Sequence, residues 1–332
     1  MGRVAIKGGV WMQYRVGSFN MKNFGANSTK DFEKIAEIIV GEQLDVVALQ
    51  EILSEGKGVE RLLEAGVAHE LYNWDFCCAT PRESSDIEKL RDMAVNDTRG
   101  ECYAFLWNTK RFKKIEFSKL GEKRIFEPRI LNSLSTDVNV DCSLFARTPY
   151  YIRLQPKFGG FFELRLINVH IYWGDSTLSS IDKRKIEFNV LTREIYPEIS
   201  AARYGQNRTP YTIAMGDYNL NIFRPFIQTQ AKNSNLTEVQ SYWDGQRQVQ
   251  ILTIQDQLTT LRDVDRLASS DFDVNNPLAN NYDHFTYSPE LSDFTDVKYK
   301  TVDAVNKYCE GDYSYYRKYI SDHLPIVMTV TI

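Results

Sequence analysis

The chain has 332 residues, of which 43% are hydrophobic and 25% are charged, and its formal net charge is −4. These values are typical of a soluble globular protein with a sizeable core, and they exclude a strongly basic nucleic-acid-binding protein. No run approaches the roughly 18–20 apolar residues that a membrane-spanning helix needs.

The first half of the chain predicts strands alternating with helices. The N-terminal stretch "MGRVAIKGGVWMQYRVGSFN" lacks the features of a signal peptide, so we expect a cytoplasmic protein. Residues 29–44, "TKDFEKIAEIIVGEQL", predict a helix, the following "DVVALQE" a buried strand, and "GVERLLEAGV" a second helix. "ECYAFLWNTKRFKKIEF" predicts a hairpin that turns at Asn108-Thr109-Lys110. "YYIRLQPKFGGFFELRLINVHIYW" predicts another hairpin that turns at Gly159-Gly160.

The second half continues the same alternation. "KRKIEFNVLTREIYPEI" predicts an amphipathic helix, whereas "PYTIAMGDYN" and "HLPIVMTVTI" predict strands. The region from about 225 to 281 is polar and irregular, with one or two short helices expected. This order of elements indicates an α+β or α/β layered sandwich.

Polar residues recur at the ends of the predicted strands. Each one alone is more simply explained as a turn, a helix cap or a structural hydrogen bonder, but ligand sites in layered folds gather at strand ends. Carboxylates and carboxamides are suitable ligands for Mg²⁺, Mn²⁺ or Ca²⁺, and two histidines can supply an acid and a base. The combination predicts attack of water on a phosphorus atom. The residues are Asn20, Glu51, His170, Asp217, Asn219, Asp283, Asp322 and His323.

Five segments, taken together, resemble the endonuclease/exonuclease/phosphatase superfamily. They are "GSFNMKNFG", "VVALQEI", "INVHIYWGDS", "AMGDYNL" and "SDHLPIV", and they follow the family's order along nearly the whole chain. The resemblance implies a four-layer αββα sandwich of two packed mixed sheets flanked by helices, and metal-dependent cleavage of a phosphoric ester. It also implies one domain over residues 1–332, with longer substrate-shaping loops near 119–145 and 225–281.

Within the superfamily, the sequence is most similar to deoxyribonuclease I-like nucleases, and three further segments carry that similarity. "GECYAFLW" resembles the segment that supplies the carboxylate partner of the first histidine, which implies that Glu101 pairs with His170. "FARTPYYIRL" resembles a phosphate-contacting segment and implies that Arg147 binds phosphate. "NNYDHFTY" implies that Asp283 orients His323.

The resemblance implies a role for each site residue. Glu51 would be the principal ligand of Mg²⁺, with Asn20 beside it and Asp322 completing the metal or water site. Asp217 and Asn219 would orient water and phosphate.

The two histidines would act on opposite sides of the phosphorus. His323 would take a proton from the attacking water, and His170 would be general acid to the leaving oxygen or a phosphate-binding cation; the direction of attack, which the sequence leaves open, decides between acid and base. Tyr172 and Trp173 follow His170 and could line the cleft. His69 and His284 are expected to be structural.

The expected substrate is nucleic acid, most simply DNA, and the expected protein is a monomer without an obligate partner. A sphingomyelinase-like phosphodiesterase also keeps a histidine at position 170, but it would usually be secreted and carry an exposed apolar hairpin, which the sequence does not reveal. We also consider a phosphatase of the same superfamily and an inactive binding module. The sequence departs from abasic-site endonucleases at "QEILSE" and "NVH", and from inositol phosphatases at "GDYNLNIFR".

Overall fold

A computed structural model describes most of the chain, namely residues 12–53, 56–79, 101–120, 123–131, 144–158, 161–175, 177–204, 208–221, 250–252, 258–262, 277–287 and 296–332. The predicted Gly159-Gly160 turn, part of the loop near 119–145, and most of the region 225–281 with its short helices lie outside these residues. Among the described residues, no helix combines the length and the apolar character needed to cross a membrane.

The strands form two large sheets and one small one. In chain order they are β1 (Gln13–Phe24), β2 (Val46–Ile52), β3 (Trp74–Cys78), β4 (Cys102–Asn108), β5 (Phe112–Lys114), β6 (Phe117–Leu120), β7 (Lys123–Phe126), β8 (Arg129–Ile130), β9 (Tyr150–Pro156), β10 (Phe162–His170), β11 (Thr209–Asp217), β12 (Gln250–Leu252), β13 (Asp283–Tyr287), β14 (Asp296–Thr301) and β15 (Ile326–Thr331).

Both large sheets are mixed. The first has the strand order β14-β15-β1-β2-β4-β3, and the second has the order β12-β13-β11-β10-β9-β5 with β8 beside β9. Strands β6 and β7 form the small sheet. The pairs β1–β2 and β10–β11 are parallel, whereas their outer neighbours run antiparallel. Each sheet therefore has a central parallel pair whose carboxyl ends point the same way.

Helices cover the outer faces of the two sheets. They are α1 (Phe32–Gly41), α2 (Lys57–Ala65), α3 (Leu178–Val190), α4 (Tyr196–Ala201), α5 (Ala304–Tyr308) and α6 (Tyr313–Tyr319), with short 3₁₀ turns at Gly66–His69 and Leu71–Asn73. Helix α3 leads through a π-helical turn, Leu191–Ile195, into α4. Pro197 has no N–H to donate to the preceding turn, which accounts for the wider turn just before it.

Three apolar cores separate four layers. The first, which includes Ile35, Ile39 and Leu49, lies between α1 and the outer face of the first sheet. The second, which includes Phe105 and Leu166, lies between the two sheets. The third, which includes Phe188 and Ile167, lies between the second sheet and α3. The predicted α+β, four-layer αββα sandwich is confirmed.

The helix predicted over 29–44 is shorter in the structure. Helix α1 begins at Phe32 because the side chain of Asp31 accepts a hydrogen bond from the backbone N–H of Lys34 and caps the helix. The later amphipathic helix begins earlier than predicted, at Leu178, where Thr177 caps it in the same way. The pattern of apolar residues predicts that these helices exist, whereas caps decide where they begin.

The first predicted hairpin is wrong. Strand β4 belongs to the first sheet and β5 to the second, so the chain crosses between sheets at the expected turn, Asn108-Thr109-Lys110. Backbone N–H groups of Asn108 and Thr109 donate to carbonyls of Asp45 and Asn73 instead of closing a hairpin. Alternating apolar residues look alike whether two strands pair with each other or face each other across a core.

The second predicted hairpin pairs β9 with β10, with Leu154 opposite Leu164. At its outer end, the side chains of Phe158 and Phe161 are 71% and 88% exposed. This exposed aromatic pair was not predicted from the sequence. It lies beside the start of β10, whereas His170 ends that strand.

A chain of buried polar side chains links the two sheets. Gln50 on β2 donates to Asn168 on β10 over 2.7 Å, and Asn168 donates to the carbonyls of Leu49 and Ala104 over 2.9 and 3.1 Å. Because buried polar groups cost free energy unless they are hydrogen-bonded, these bonds favour one relative position of the sheets. They lie directly behind the strand ends described next.

Candidate active site

Predicted polar residues from both sheets meet at one end of the sandwich. In the second sheet, His170 is paired with Asp217 and Asp217 with Asp283, so three neighbouring strands place these residues side by side. In the first sheet, Asn20 on β1 lies opposite Gln50 on β2, and Glu51 follows at the same end. The carboxyl ends of the two parallel pairs therefore contribute to one site.

Gly216 allows β10 and β11 to approach closely just before Asp217. Its φ is +147°, and a Cβ atom there would lie 1.9 Å from the carbonyl oxygen of Val169. Any side chain at this position would force the strands apart. Glycine is therefore required to hold Asp217 beside His170.

Asn20 connects carboxylates that come from different sheets. Its Nδ2 donates to Glu51 Oε1 and to Asp217 Oδ2, each over 3.0 Å, while its Oδ1 accepts from the backbone N–H of Lys22. Glu51 Oε2 accepts a further bond from the backbone of Asn23 over 3.0 Å. The amide of Asn20 thus orients two carboxylates, and its nitrogen faces them; the metal-ligand role predicted for Asn20 would need its oxygen.

His323 is held between two carboxylates. Its Nδ1 lies 2.8 Å from Asp283 Oδ2, and its Nε2 lies 3.6 Å from Asp217 Oδ2. Burial lowers the pKa of His323, but the charges of Asp283 and Asp217 outweigh burial and raise that pKa above its usual value. The two carboxylates therefore favour the protonated form of His323. Burial raises the pKa of Asp217, against the opposing effect of the His323 charge.

His170 approaches the same carboxylate from another side, but its surroundings favour the neutral imidazole. Its Nε2 lies 3.6 Å from Asp217 Oδ2. Burial lowers the pKa of His170 well below its usual value, and the charges of Arg147 and His323 lower it further. Two imidazoles around one carboxylate thus differ in charge, an arrangement that suits an acid and a base.

The predicted pairing of Glu101 with His170 is looser than expected. Glu101 Oε2 lies 2.7 Å from Arg147 Nε, but 3.7 Å from His170 Nδ1. A fixed guanidinium charge attracts the carboxylate more strongly than a neutral imidazole does. Glu101 therefore pairs first with Arg147, and this ion pair borders His170.

Asp322, the third predicted metal ligand, forms an ion pair with Lys22. The two charged atoms are 2.7 Å apart. Burial raises the pKa of Asp322, but the charges of His323 and Lys22 prevail and lower it, so Asp322 remains ionised. Asp322 therefore offers an anionic oxygen at the site, with Lys22 as the cation that balances it.

The donor set fits a divalent metal ion. Within the described part of the chain, the hydrogen-bond donors to Glu51 are amide groups, and Lys30 interacts with its charge electrostatically. Asp283 Oδ1 is buried without a hydrogen-bond partner among the described residues. Ligand atoms of Asp217, Asp283 and His323 lie within 4.8 Å of one another and could hold a metal ion. Carboxylate oxygens of this kind suit hard cations.

These residues border a cleft of about 620 Å³. Asn20 and Asp283, which are fully buried, support it from behind. His284 is buried and its Nε2 contacts the carbonyl of Leu220, and His69 ends a 3₁₀ turn; neither borders the cleft. Nine predicted site residues line the cleft, namely Glu51, Glu101, Arg147, His170, Tyr172, Asp217, Asn219, Asp322 and His323.

Left-handed backbone conformations concentrate around the cleft. Each such non-glycine residue costs about 1–3 kcal/mol and persists only where surrounding contacts enforce it. The strained residues therefore mark the region where surrounding contacts fix the backbone conformation. Four residues with φ between +47° and +58° line the cleft, namely Lys22, Asn23, Glu51 and Asn219.

Two residues of α3 that the sequence analysis did not single out support the cleft wall. Glu187 accepts hydrogen bonds from the backbone N–H groups of Ala146 and Tyr172 over 3.1 and 3.0 Å, and so holds the segments that carry Arg147 and Tyr172. Arg184 donates to the carbonyl of Asn219 over 2.9 Å. Their helix is amphipathic, and its pattern gives no sign that these charges point inward.

The buried carboxyl group of Glu187 should make the free energy of unfolding depend on pH. Burial raises its pKa from 4.5 to about 7, against the lowering effect of the Tyr172 and Ala146 N–H groups. A carboxyl with a raised pKa in the folded state stabilises the fold fully below pH 4.5, and this contribution is lost as pH rises through 7. The advantage of the wild type over Glu187→Gln in unfolding free energy should therefore fall by on the order of 3 kcal/mol across that interval.

Urea unfolding of both proteins at each end of the interval measures this change. An effect of the substitution on the unfolding free energy that is the same at both pH values cancels, because only the change between the two pH values is used. A difference that does not vary with pH would contradict the buried, protonated state of Glu187.

The fold has known structural relatives. No family model and no curated protein matches the sequence. A humanized D. rerio TDP2 is 16% identical with a TM-score of 0.54, covering 96% of this chain and 98% of that chain. A D. rerio TDP2 in complex with a single-strand DNA product is 14% identical with a TM-score of 0.54 over the same shares. A Bacteroides thetaiotaomicron endonuclease/exonuclease/phosphatase family protein is 15% identical with a TM-score of 0.53, covering 97% and 99%.

Sequence identities this low establish a shared fold, whereas the chemistry has to be inferred from the residues of this chain. The alignments extend over nearly the whole of both chains, as the order of the sequence segments implied. The chain has the fold of the endonuclease/exonuclease/phosphatase superfamily.

Proposed function

We propose that the protein is a metal-dependent phosphodiesterase that hydrolyses DNA, in the manner of a deoxyribonuclease I-like endonuclease. The observation that carries this proposal is the position of two imidazoles around one carboxylate: Nε2 of His170 and Nε2 of His323 each lie 3.6 Å from Asp217 Oδ2. An acid and a base on either side of a bound phosphate suit in-line attack of water, one at the entering water and the other at the leaving oxygen. A structural relative with a single-strand DNA product bound supports the substrate class.

The charged neighbours of the two histidines favour one assignment of acid and base. Asp283 pairs with His323 and supports its protonated form, whereas Arg147 lies near His170 and opposes a second positive charge. His323 is then the general acid that protonates the leaving oxygen, and neutral His170 accepts a proton from the attacking water. From the sequence, His323 was expected to be the base and His170 the acid or a phosphate-binding cation. The present assignment exchanges the acid and the base.

The remaining polar residues position the reactants. Asp217, fixed by Asn20 and by the backbone N–H of Asn219, holds the attacking water beside His170. Arg147 and Tyr172 line the cleft beside His170, where they would contact the phosphate together with Asn219. Arg147 can turn from Glu101 toward a phosphate because a guanidinium forms bidentate pairs with carboxylate and with phosphate oxygens alike.

Mg²⁺ is the metal that we propose, and Mn²⁺ or Ca²⁺ would suit similar donors. Glu51 would be its principal ligand, with Asp322 nearby and Asn20 holding the Glu51 carboxylate in place. The cluster of Asp217, Asp283 and His323 is a less suitable position, because His323 Nδ1 already contacts Asp283. The bound ion would neutralise charge on the non-bridging phosphate oxygens.

The assay that tests the function compares four substrates under three conditions. Plasmid DNA, RNA, sphingomyelin vesicles and a chromogenic phosphodiester are each incubated with Mg²⁺, Mn²⁺ or EDTA. We expect cleavage of DNA and of the chromogenic ester with either metal, and none in EDTA. If none of the substrates is cleaved under any condition, the enzyme proposal is wrong and an inactive binding module is favoured.

One observation favours a lipid phosphodiesterase instead. Phe158 and Phe161 form the kind of exposed apolar hairpin end that such an enzyme would use at a membrane. However, β10 separates Phe161 from His170 by nine residues, or about 30 Å of strand. A bilayer that contacts this hairpin end would therefore lie far from the cleft. Preferential hydrolysis of sphingomyelin in the assay would nevertheless establish the lipid phosphodiesterase.

A further inference from the structure

An aromatic pair borders the cleft, and the proposed chemistry does not use it. Trp173 and Tyr282 both line the cleft, with their ring centroids 5.5 Å apart and their planes inclined by 53°. Trp173 is 42% exposed, which is unusual for so large an apolar side chain. An indole with this much free surface inside a reaction cleft suggests a ligand that covers it.

The pair is held rigidly. Arg184 lies under the indole, with its Cζ 4.6 Å from the ring centroid, and it also donates to the carbonyls of Asn219 and Asp175 over 2.9 and 2.6 Å. Gly174 turns the chain directly after Trp173 with φ +63°, where a Cβ atom would lie 2.5 Å from the ring of Tyr172. The indole is therefore presented at low entropic cost.

The pair is also close in structure to the proposed reacting groups. Arg184 contacts the carbonyl of Asn219, and the backbone N–H of Asn219 donates to Asp217 Oδ1 over 2.8 Å. Asn219 thus connects Arg184, which supports the indole, to Asp217, which lies between the two histidines. A ligand on Trp173 would lie beside the phosphate rather than at a remote surface.

Electrostatic attraction cannot supply much of the affinity for a polyanion. The chain carries a net charge of −4. Of the cleft cations, Lys22 and Arg147 are paired with Asp322 and Glu101, and Arg317 donates to the carbonyls of Leu261 and Arg262. Few cations are left to release counterions from a nucleic acid. Stacking of bases on aromatic rings can provide the missing affinity at about 1–3 kcal/mol per base.

We propose that Trp173 and Tyr282 form a stacking subsite for one unpaired nucleobase next to the phosphate that is hydrolysed. This inference rests on the proposed function and adds the form of the substrate. The face of a base within a duplex is covered by its neighbours, so the subsite favours single-stranded or locally unpaired nucleic acid. Stacking of a base does not depend on the sugar, so both deoxyribose and ribose strands belong in the test.

Four dinucleotides with a single phosphodiester test the subsite. They carry a thymine base on both sides, on one side, on the other side, or on neither side, where a baseless tetrahydrofuran unit replaces the nucleoside; each is made with deoxyribose and with ribose. Wild type, Trp173→Ala, Trp173→Phe and Tyr282→Ala are compared by kcat/KM. Tyr72→Ala is the control, since Tyr72 is 62% exposed and lies outside the cleft.

Trp173→Ala should lose about 10- to 100-fold in kcat/KM on the substrates with bases, mainly through a higher KM. The same variant should match the wild type on the substrate without bases, while Trp173→Phe should retain most of the activity on all four. Binding of a labelled single strand to His323→Ala, with and without Trp173→Ala, gives the same comparison without turnover.

Two results would overturn the inference. Either the wild type cleaves substrates with and without bases at equal rates, or Trp173→Ala slows both equally, as a structural residue would. A wild type that cleaves neither these substrates nor those of the four-substrate assay would instead refute the proposed function, and the stacking subsite with it.

Discussion

Replacing His323 by alanine should slow hydrolysis of an alkyl phosphodiester by about 10²–10⁴-fold, which is the usual contribution of a positioned acid or base. The same variant should keep most of its activity on an ester whose leaving group is p-nitrophenolate. An alkoxide needs a proton to leave, whereas nitrophenolate is stable without one. The carboxylate of Asp283, 2.8 Å from Nδ1, is what keeps that proton on His323.

His170→Ala should behave differently. As the base that accepts the proton from water, His170 is needed whatever the leaving group, so both substrates should slow by about 10²–10⁴-fold. Comparing the two variants on the two esters distinguishes the acid from the base, which the loss of activity in either variant alone does not. Initial rates on the two esters, at saturating Mg²⁺, are the measurement.

A histidine outside the cleft provides the control. His69→Ala should leave both rates unchanged, because His69 lies outside the cleft. Circular dichroism establishes that each variant is folded. If nitrophenyl ester rescues His170→Ala rather than His323→Ala, the acid and base roles are reversed; if it rescues neither, His323 is not a general acid.

Glu51→Gln should have the second large effect. It preserves the shape of the side chain but removes the negative charge that we assign to metal binding. Loss of outer contacts to a metal ligand already costs about 10–100-fold in affinity or activity, so loss of the ligand charge should cost at least that much. Titration calorimetry with Mn²⁺ should register the weaker binding independently of turnover.

The matched control is Glu64→Gln, an exposed acid on α2 outside the cleft. It removes the same charge from the same protein, and its Mn²⁺ affinity and activity should equal those of the wild type. Unchanged Mn²⁺ affinity in Glu51→Gln would place the metal elsewhere, with the cluster of Asp217, Asp283 and His323 as the next position to test.

The arrangement of strand ends could be predicted because it follows from sheet geometry. Parallel strands end at the same edge, so His170 and Asp217 could be expected as neighbours once their strands were identified, and they are paired in the register. The layer order followed from a resemblance spread along the chain, whose first and last segments must meet in space. Strands β1 and β15 are indeed neighbours.

Contacts between elements could not be predicted in this way. Glu187 and Arg184 lie in a helix whose pattern is the same whether a given charge points to water or to a neighbouring loop. The competition between Arg147 and His170 for Glu101 is decided by side-chain distances that the sequence does not contain. The crossing from β4 to β5 is decided by the core between the sheets, in which Trp107 and Phe112 are both buried.

Hydrolysis of a dinucleotide in water labelled with a heavy oxygen isotope tests the central claim most directly. With Mg²⁺ present, the proposed attack of water on phosphorus predicts one labelled oxygen in the phosphate of the product, detected by mass spectrometry, and no product when EDTA removes the metal. Label in the alcohol product, or cleavage that persists without a divalent metal, would contradict it.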